Sequence, residues 1–163
     1  MKVSQMVRAA LQVSDLEKSK NFYKSVFGLT EVYAEGSAVD GNMHALVGMP
    51  KGIDINICIL KQPDYSDFGM VGLFQIKNPI PPKIHRPSDG SNIGELCMVF
   101  YCSDLDIIMT NVKNHKHSII CKPVHLEMKG IIKQREMSMR GPDGEKINLI
   151  EWDPDITKKA SLK

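Results

Sequence analysis

Few side chains in this sequence combine chemical capability with suggestive spacing. Glu136, in Gln134-Arg135-Glu136-Met137-Ser138-Met139, is a carboxylate suited to general-base work, because an alternating strand sends either it or Arg135 inward. His44 could act as a general acid or base, although a single strand histidine more often only satisfies local polar groups. His125 and Glu127 stand at i, i+2, a spacing a metal could use, but two ligands do not make a site. His115 and His117 fall at an expected helix C-terminus, where the helix dipole accounts for them. None of Cys58, Cys97, Cys102 and Cys121 forms a Cys-x-x-Cys pair, so neither a zinc knuckle nor a thioredoxin-like motif is present. Free thiols are expected, with Cys102 at least serving as a small core hydrophobe. Ten methionines suit either an adaptable pocket wall or gap-filling in a core.

The elements that must position these groups follow from periodicity and turn chemistry. Near the C-terminus, Gly141-Pro142-Asp143-Gly144 reads as a tight turn, with Pro presetting one corner and Gly144 free to take positive φ. In the strand after it, Ile147, Leu149 and Glu151 point one way and Asn148, Ile150 and Trp152 the other. Near the N-terminus, residues 7–13 alternate as a strand. Ser14-Asp15-Leu16-Glu17 has capping-box spacing, with Ser14 as N-cap. The helix behind it should bury Leu16, Phe22, Tyr23, Val26 and Phe27 and end at Gly28. Strands are expected at 29–34, 43–47 and 54–60.

From Pro63 to Gly94 the texture changes. Five of the nine prolines fall here, and the segment reads as a connector carrying one strand at 72–77. A strand at 96–102 then leads into Ser103-Asp104-Leu105, offset by 89 residues from Ser14-Asp15-Leu16. A helix and strands at 119–123, 134–139 and 146–152 follow. Ile55-Asn56-Ile57 and Ile147-Asn148-Leu149 also rhyme, offset by 92 residues. The chain reads as two strand–helix–three-strand modules: module one about 5–62, connector about 63–94 and module two about 95–153, all within one domain.

Composition narrows the partners. A formal charge of +2 is too mild for a nucleic-acid protein, and no basic run carries interleaved aromatics. No apolar run approaches the ~18 residues of a membrane span. The first eight residues lack the apolar core of a signal peptide, so a cytoplasmic location is the expectation.

Leu11 to Tyr23 followed by Gly28-Leu29, and Gly141-Pro142-Asp143-Gly144 with the strand behind it, resemble the opening and closing signatures of the vicinal oxygen chelate superfamily. That superfamily includes glyoxalase I, extradiol dioxygenases and bleomycin-binding resistance proteins. The resemblance implies an α+β fold of tandem βαβββ modules forming a cupped mixed sheet. It also implies a divalent metal held in enzymatic members by His or Glu on the first and last strands of each module. Matched residue by residue, those positions here read Arg8, Asn56, Cys97 and Asn148. Arg cannot bind a metal and amide oxygens bring no charge, so the usual metal site is expected to be absent and no cofactor is expected.

If strand parity holds, Arg8 and Gln12 share a face, as do Cys97 and Tyr101. An Arg fork beside Asn amides would suit a carboxylate, a phosphate or another oxygen-bearing group, with Tyr101 covering its body. Alternatively, Asn56 and Asn148 hydrogen-bond each other and Arg8 is tied to a core carboxylate. Three functions follow: a metal-independent binder of a small polar organic molecule; a metal-dependent lyase, isomerase or dioxygenase with a displaced site drawn from His44, Cys97, His125 or Glu136; or a dimeric sequestering protein. A homodimer is expected.

Overall fold

The structure, a computed structural model, describes residues 3–37, 42–86, 90–114, 118–128 and 132–151. His115, His117 and Trp152, named above, lie outside the described residues, as does the side chain of Glu127. The chain divides into two compact units, Met1–Asp89 and Gly90–Lys163.

In the first unit, β1 (Arg8–Gln12), α1 (Leu16–Phe27), β2 (Glu31–Ser37), α2 (Met43–Leu46), β3 (Asp54–Lys61) and β4 (Met70–Asn78) follow in order. The sheet runs β1-β4-β3-β2, parallel between β1 and β4 and antiparallel elsewhere. The second unit repeats the plan with β5 (Cys97–Cys102), α3 (Leu105–Asn114), β6 (Ile119–Met128), β7 (Ile132–Arg140) and β8 (Lys146–Glu151). Its order is β5-β8-β7-β6, with β5 and β8 parallel. This is the expected tandem α+β architecture.

α1 forms where the sequence places it, but one residue later than the capping box suggests. Asp15, not Ser14, is the N-cap, its Oδ1 accepting from the Lys18 amide at 3.0 Å. Glu17 instead pairs with Lys20 at 2.9 Å. At the other end Gly28 has φ 69°, and its amide returns to Lys24 O at 3.1 Å. Leu16, Phe22, Tyr23 and Val26 form the buried stripe against β3 and β4. In the second unit Asp104 caps in the same way, accepting from the Asp106 and Ile107 amides at 2.7 and 3.1 Å.

Two elements differ from the sequence reading. Residues 43–46 are helical rather than extended, because Met43 and Val47, four apart on one helix face, pack on the apolar cluster of Ile53, Ile55, Phe74 and Ile76. The strand expected inside the connector is β4, and it lies between β1 and β3 at the heart of the first sheet. It is therefore integral to the first unit, and it is the topological counterpart of β8.

On the covered side of the second unit, Arg135 makes a bidentate pair with Asp106 of α3, both contacts 3.0 Å, and reaches Glu151 at 3.3 Å. The guanidinium holds the Asp106 carboxyl below its usual 3.8. A depressed carboxyl adds stability that is present above the unfolded pKa and lost as pH falls through the folded one. An NMR titration should find Asp106 below 3.8 in the wild type and close to that value in Arg135→Gln.

Among the described residues, no helix is long and apolar enough to cross a membrane.

Candidate functional site

In the second sheet, period-two alternation divides polar from apolar residues. Met98, Met137, Met139, Ile147 and Leu149 are buried on one side. Arg135 and Glu151 share their parity, and Glu151 Oε1 accepts from the first amide of α3, Leu105 N, at 3.0 Å; this is the helix-covered side. The opposite set is more open: Val99 and Tyr101 there are each 56% exposed, and Glu136, Ser138, Asn148 and Ile150 are half-buried. Register places Asn148 between Val99 and Ser138, and Ile150 between Tyr101 and Glu136. The strand itself therefore answers which of Arg135 and Glu136 turns to the open side: Glu136 does.

That carboxylate is held from two directions. Asn148 Nδ2 donates to Glu136 Oε2 at 2.7 Å. Gln134 Nε2, two residues back on the same strand, donates to Oε1. An ionised carboxylate only accepts, so both amides turn their NH2 groups towards it and their carbonyl oxygens away. Further along the face, Arg140 Nη1 donates to Glu95 Oε1 at 2.6 Å and to Gly144 O at 2.7 Å. Lys146 Nζ donates to Ser91 Oγ at 2.7 Å. Cys97 lies beside Lys146, and burial pushes its thiol above its usual 9.0, partly offset by the Lys146 charge, so it is neutral at pH 7.

The turn that aligns β7 with β8 is built by Glu145. Gly141 N donates to Glu145 O at 2.9 Å, Gly144 N to Gly141 O at 3.0 Å, and Asp143 N to Glu145 Oε2 at 3.0 Å. Gly144 takes φ 85°, the positive value expected from sequence. Glu145 is only 8% exposed, and its carboxylate fills the space a Cβ at Gly141 would need.

In the first sheet, Arg8 and Gln12 are exposed and share one face, as parity predicts. Asn56 is on the other. It stands beside Gln75 and shares its side with Cys58 and Leu60, where α1 packs, whereas Ile55, Ile57 and Phe74 face the way Arg8 does. The counterpart of Asn148 is instead Gly72, since Ala10 pairs with Gly72 as Val99 pairs with Asn148. A Cβ on Gly72 would meet Phe74 Cε2 at 2.9 Å and Arg8 Cδ at 3.3 Å, so the Arg8 stem lies over the missing side chain. His44 belongs to α2 rather than a strand.

These residues do not fit a divalent metal. No group of three or more His, Cys, Asp or Glu side chains converges among the described residues. The four positions at which the resemblance implies ligands, with Gly72 in place of Asn56, offer a guanidinium, a glycine, a neutral thiol and an amide bonded to Glu136. Nor does the second sheet assemble a displaced site: His125 is in register with Arg135 and so opposes Glu136 across the sheet. Cys97 is two strands from β7 and four residues off the Glu136 register. Gln134, Ser138 and Lys146 join the face without having been singled out from sequence; their i ± 2 spacing from Glu136 and Asn148 was the available signal.

A family model described as Glyoxalase/Bleomycin resistance protein/Dioxygenase superfamily matches residues 5–149. Among solved structures, a glyoxalase family protein from Bacillus cereus aligns with TM-score 0.74 and 18% identity, covering 93% of this chain and 95% of its own. Glyoxalase I from Leishmania major aligns with TM-score 0.61 and 16% identity, covering 98% of this chain and 94% of its own. Glyoxalase I from Zea mays aligns with TM-score 0.61 and 18% identity over 96% of this chain but only 48% of its own. At such identities the likeness is one of fold. A comparison with the curated proteins finds no match. The match over residues 5–149 settles the family: the chain belongs to the glyoxalase, bleomycin resistance protein and dioxygenase superfamily.

Proposed function

We propose that the protein binds a small polar organic molecule on the open face of its second sheet, and that it does so without a metal at the family's ligand positions. The observation carrying this reading is the hydrogen bond from Asn148 to Glu136, 2.7 Å long and half-buried, on the sheet face opposite α3. It pre-organises a carboxylate and two amide oxygens at the place where metal-dependent relatives would need an uncommitted donor. Val124, beside Glu136 in β6, and Tyr101 are both well exposed and offer apolar surface for the body of a ligand. Fixed polar groups bordered by apolar surface suit selective binding of a small molecule. The same proposal makes the protein a homodimer, in keeping with the family resemblance, and places it in the cytoplasm.

Ligand-observed NMR against a library of small polar compounds tests it, using chelator-treated full-length protein. Ser138 lies between Cys121 and Asn148 in register, so Ser138→Leu places an aliphatic branch in the middle of the face without removing a network donor. Hits should bind the chelated wild type and weaken at least about tenfold in Ser138→Leu, a loss of about 1.4 kcal/mol. Hits that vanish on chelation, or that bind Ser138→Leu equally well, would refute the reading.

A further inference from the structure

We infer that the ligand of this face is an organic cation, a protonated amine or a guanidine, presented on an apolar or aromatic body. The inference rests on the binding site proposed above and adds the ligand's charge. Glu136 is a carboxylate whose hydrogen-bond partners are two neutral amides, and among the described residues it makes no ion pair. Three cations of the same sheet are held by other groups. Arg135 points to the opposite side and holds Asp106 and Glu151. Arg140 is tied to Glu95 and Gly144 O, and Lys146 to Ser91. Arg140 and Lys146 are in register with each other, and Arg140 is four residues from Glu136, about 13 Å along the strand.

The amides extend the same polarity. With their NH2 groups turned to the carboxylate, Asn148 Oδ1 and Gln134 Oε1 are left as acceptors directed away from it. The patch therefore offers negative charge and acceptor oxygens, with no donor of its own left on Glu136. A ligand that covers it displaces water from a carboxylate, and the lost hydration must be replaced by hydrogen-bond donors and positive charge. An ammonium has three donors and a guanidinium a planar set of five, so either can meet the carboxylate and an amide oxygen together. An anion would add like charge to Glu136 and face the two amide oxygens as well. Val124 beside Glu136, and Tyr101 two strands away through Ile150, give the remainder of such a molecule apolar surface.

Three probes that share a phenyl body separate charge from shape: phenethylamine, 2-phenylethanol and 3-phenylpropanoate. Each is titrated at pH 7 into full-length, isotope-labelled wild type and Glu136→Gln, following backbone and side-chain amide resonances of residues 134–138 and 146–150. Phenethylamine should shift these resonances with the lowest dissociation constant of the three, and Glu136→Gln should weaken it at least tenfold while leaving 2-phenylethanol within about twofold. Equal or tighter binding of 3-phenylpropanoate at the same residues would overturn the charge assignment and leave the site standing. So would unchanged phenethylamine affinity in Glu136→Gln. Failure of all three probes to shift these residues would overturn the site and the charge assignment together.

Discussion

Gly141→Ala is expected to destabilise the protein by about 2–3 kcal/mol, lowering its melting temperature by about 4–12 °C. The added methyl would occupy the volume of the Glu145 carboxylate, which is buried and accepts from the Asp143 amide at 3.0 Å. Glu145 has to leave that pocket, which strands the Asp143 N–H and strains the turn that sets β7 against β8. A double-mutant cycle isolates this cause from any general dislike of alanine at the position. In a Glu145→Ala background the further cost of Gly141→Ala should fall below about 1 kcal/mol. Denaturant melts of the four proteins give the coupling directly. Equal costs in both backgrounds would remove Glu145 from the explanation.

Asn148→Glu should produce the second large effect, and its size depends on pH. The variant restores the residue type that the family resemblance implies at this position, but it sets a second carboxylate against Glu136, whose oxygen is 2.7 Å from the present amide nitrogen. Two carboxylates so close cannot both ionise cheaply, so the pair holds a proton above the usual glutamate value near 4.3. A carboxyl raised in the folded state binds more protons than it does unfolded. Stability relative to the wild type should therefore fall as pH rises from the unfolded pKa through the folded one. The expected cost is near zero at pH 4 and about 2–4 kcal/mol at pH 8. Adding Glu136→Gln, which reverses the pair to amide and carboxylate, should abolish the pH-dependent part. A pH-independent loss, or no rescue, would mean that the Asn148–Glu136 contact does not determine the polarity of the face.

How far the sequence could be read depended on whether local chemistry or strand pairing decided the question. The end of α1 at Gly28 and the Pro-Asp-Gly turn before β8 are local: φ 69° and 85° are what glycine is there to supply. The N-cap slipped by one because Ser14 and Asp15 are both good caps, and only the observed bond to Lys18 chooses between them. Residues 43–47 are too few to distinguish period two from 3.6, and tertiary packing on Ile55 and Phe74 decided for helix. Strand β4 was legible as a strand but not as the centre of its sheet, because prolines on either side gave it the look of a connector. That misplacement carried Asn56 into the position that Gly72 occupies, since Ile-Asn-Ile rhymes with Ile-Asn-Leu by sequence while the pairings do not. Glu136 was recognisable as a carboxylate worth following. Which of it and Arg135 turned to the open side followed from the burial of Met137 and Met139 on the other parity, where Arg135 meets Asp106 of α3.

In the proposed function, Glu136, Asn148 and Gln134 are a recognition surface rather than a sheet-stabilising contact. The side-chain NH2 resonances of Asn148 and Gln134 report on it most directly, followed in chelator-treated protein as phenethylamine is added. Saturable shifts of both pairs of signals are expected, lost in Glu136→Gln, with the buried Leu149 methyls unmoved. Side-chain signals that stay fixed while phenethylamine moves resonances elsewhere, or moves none, would contradict it.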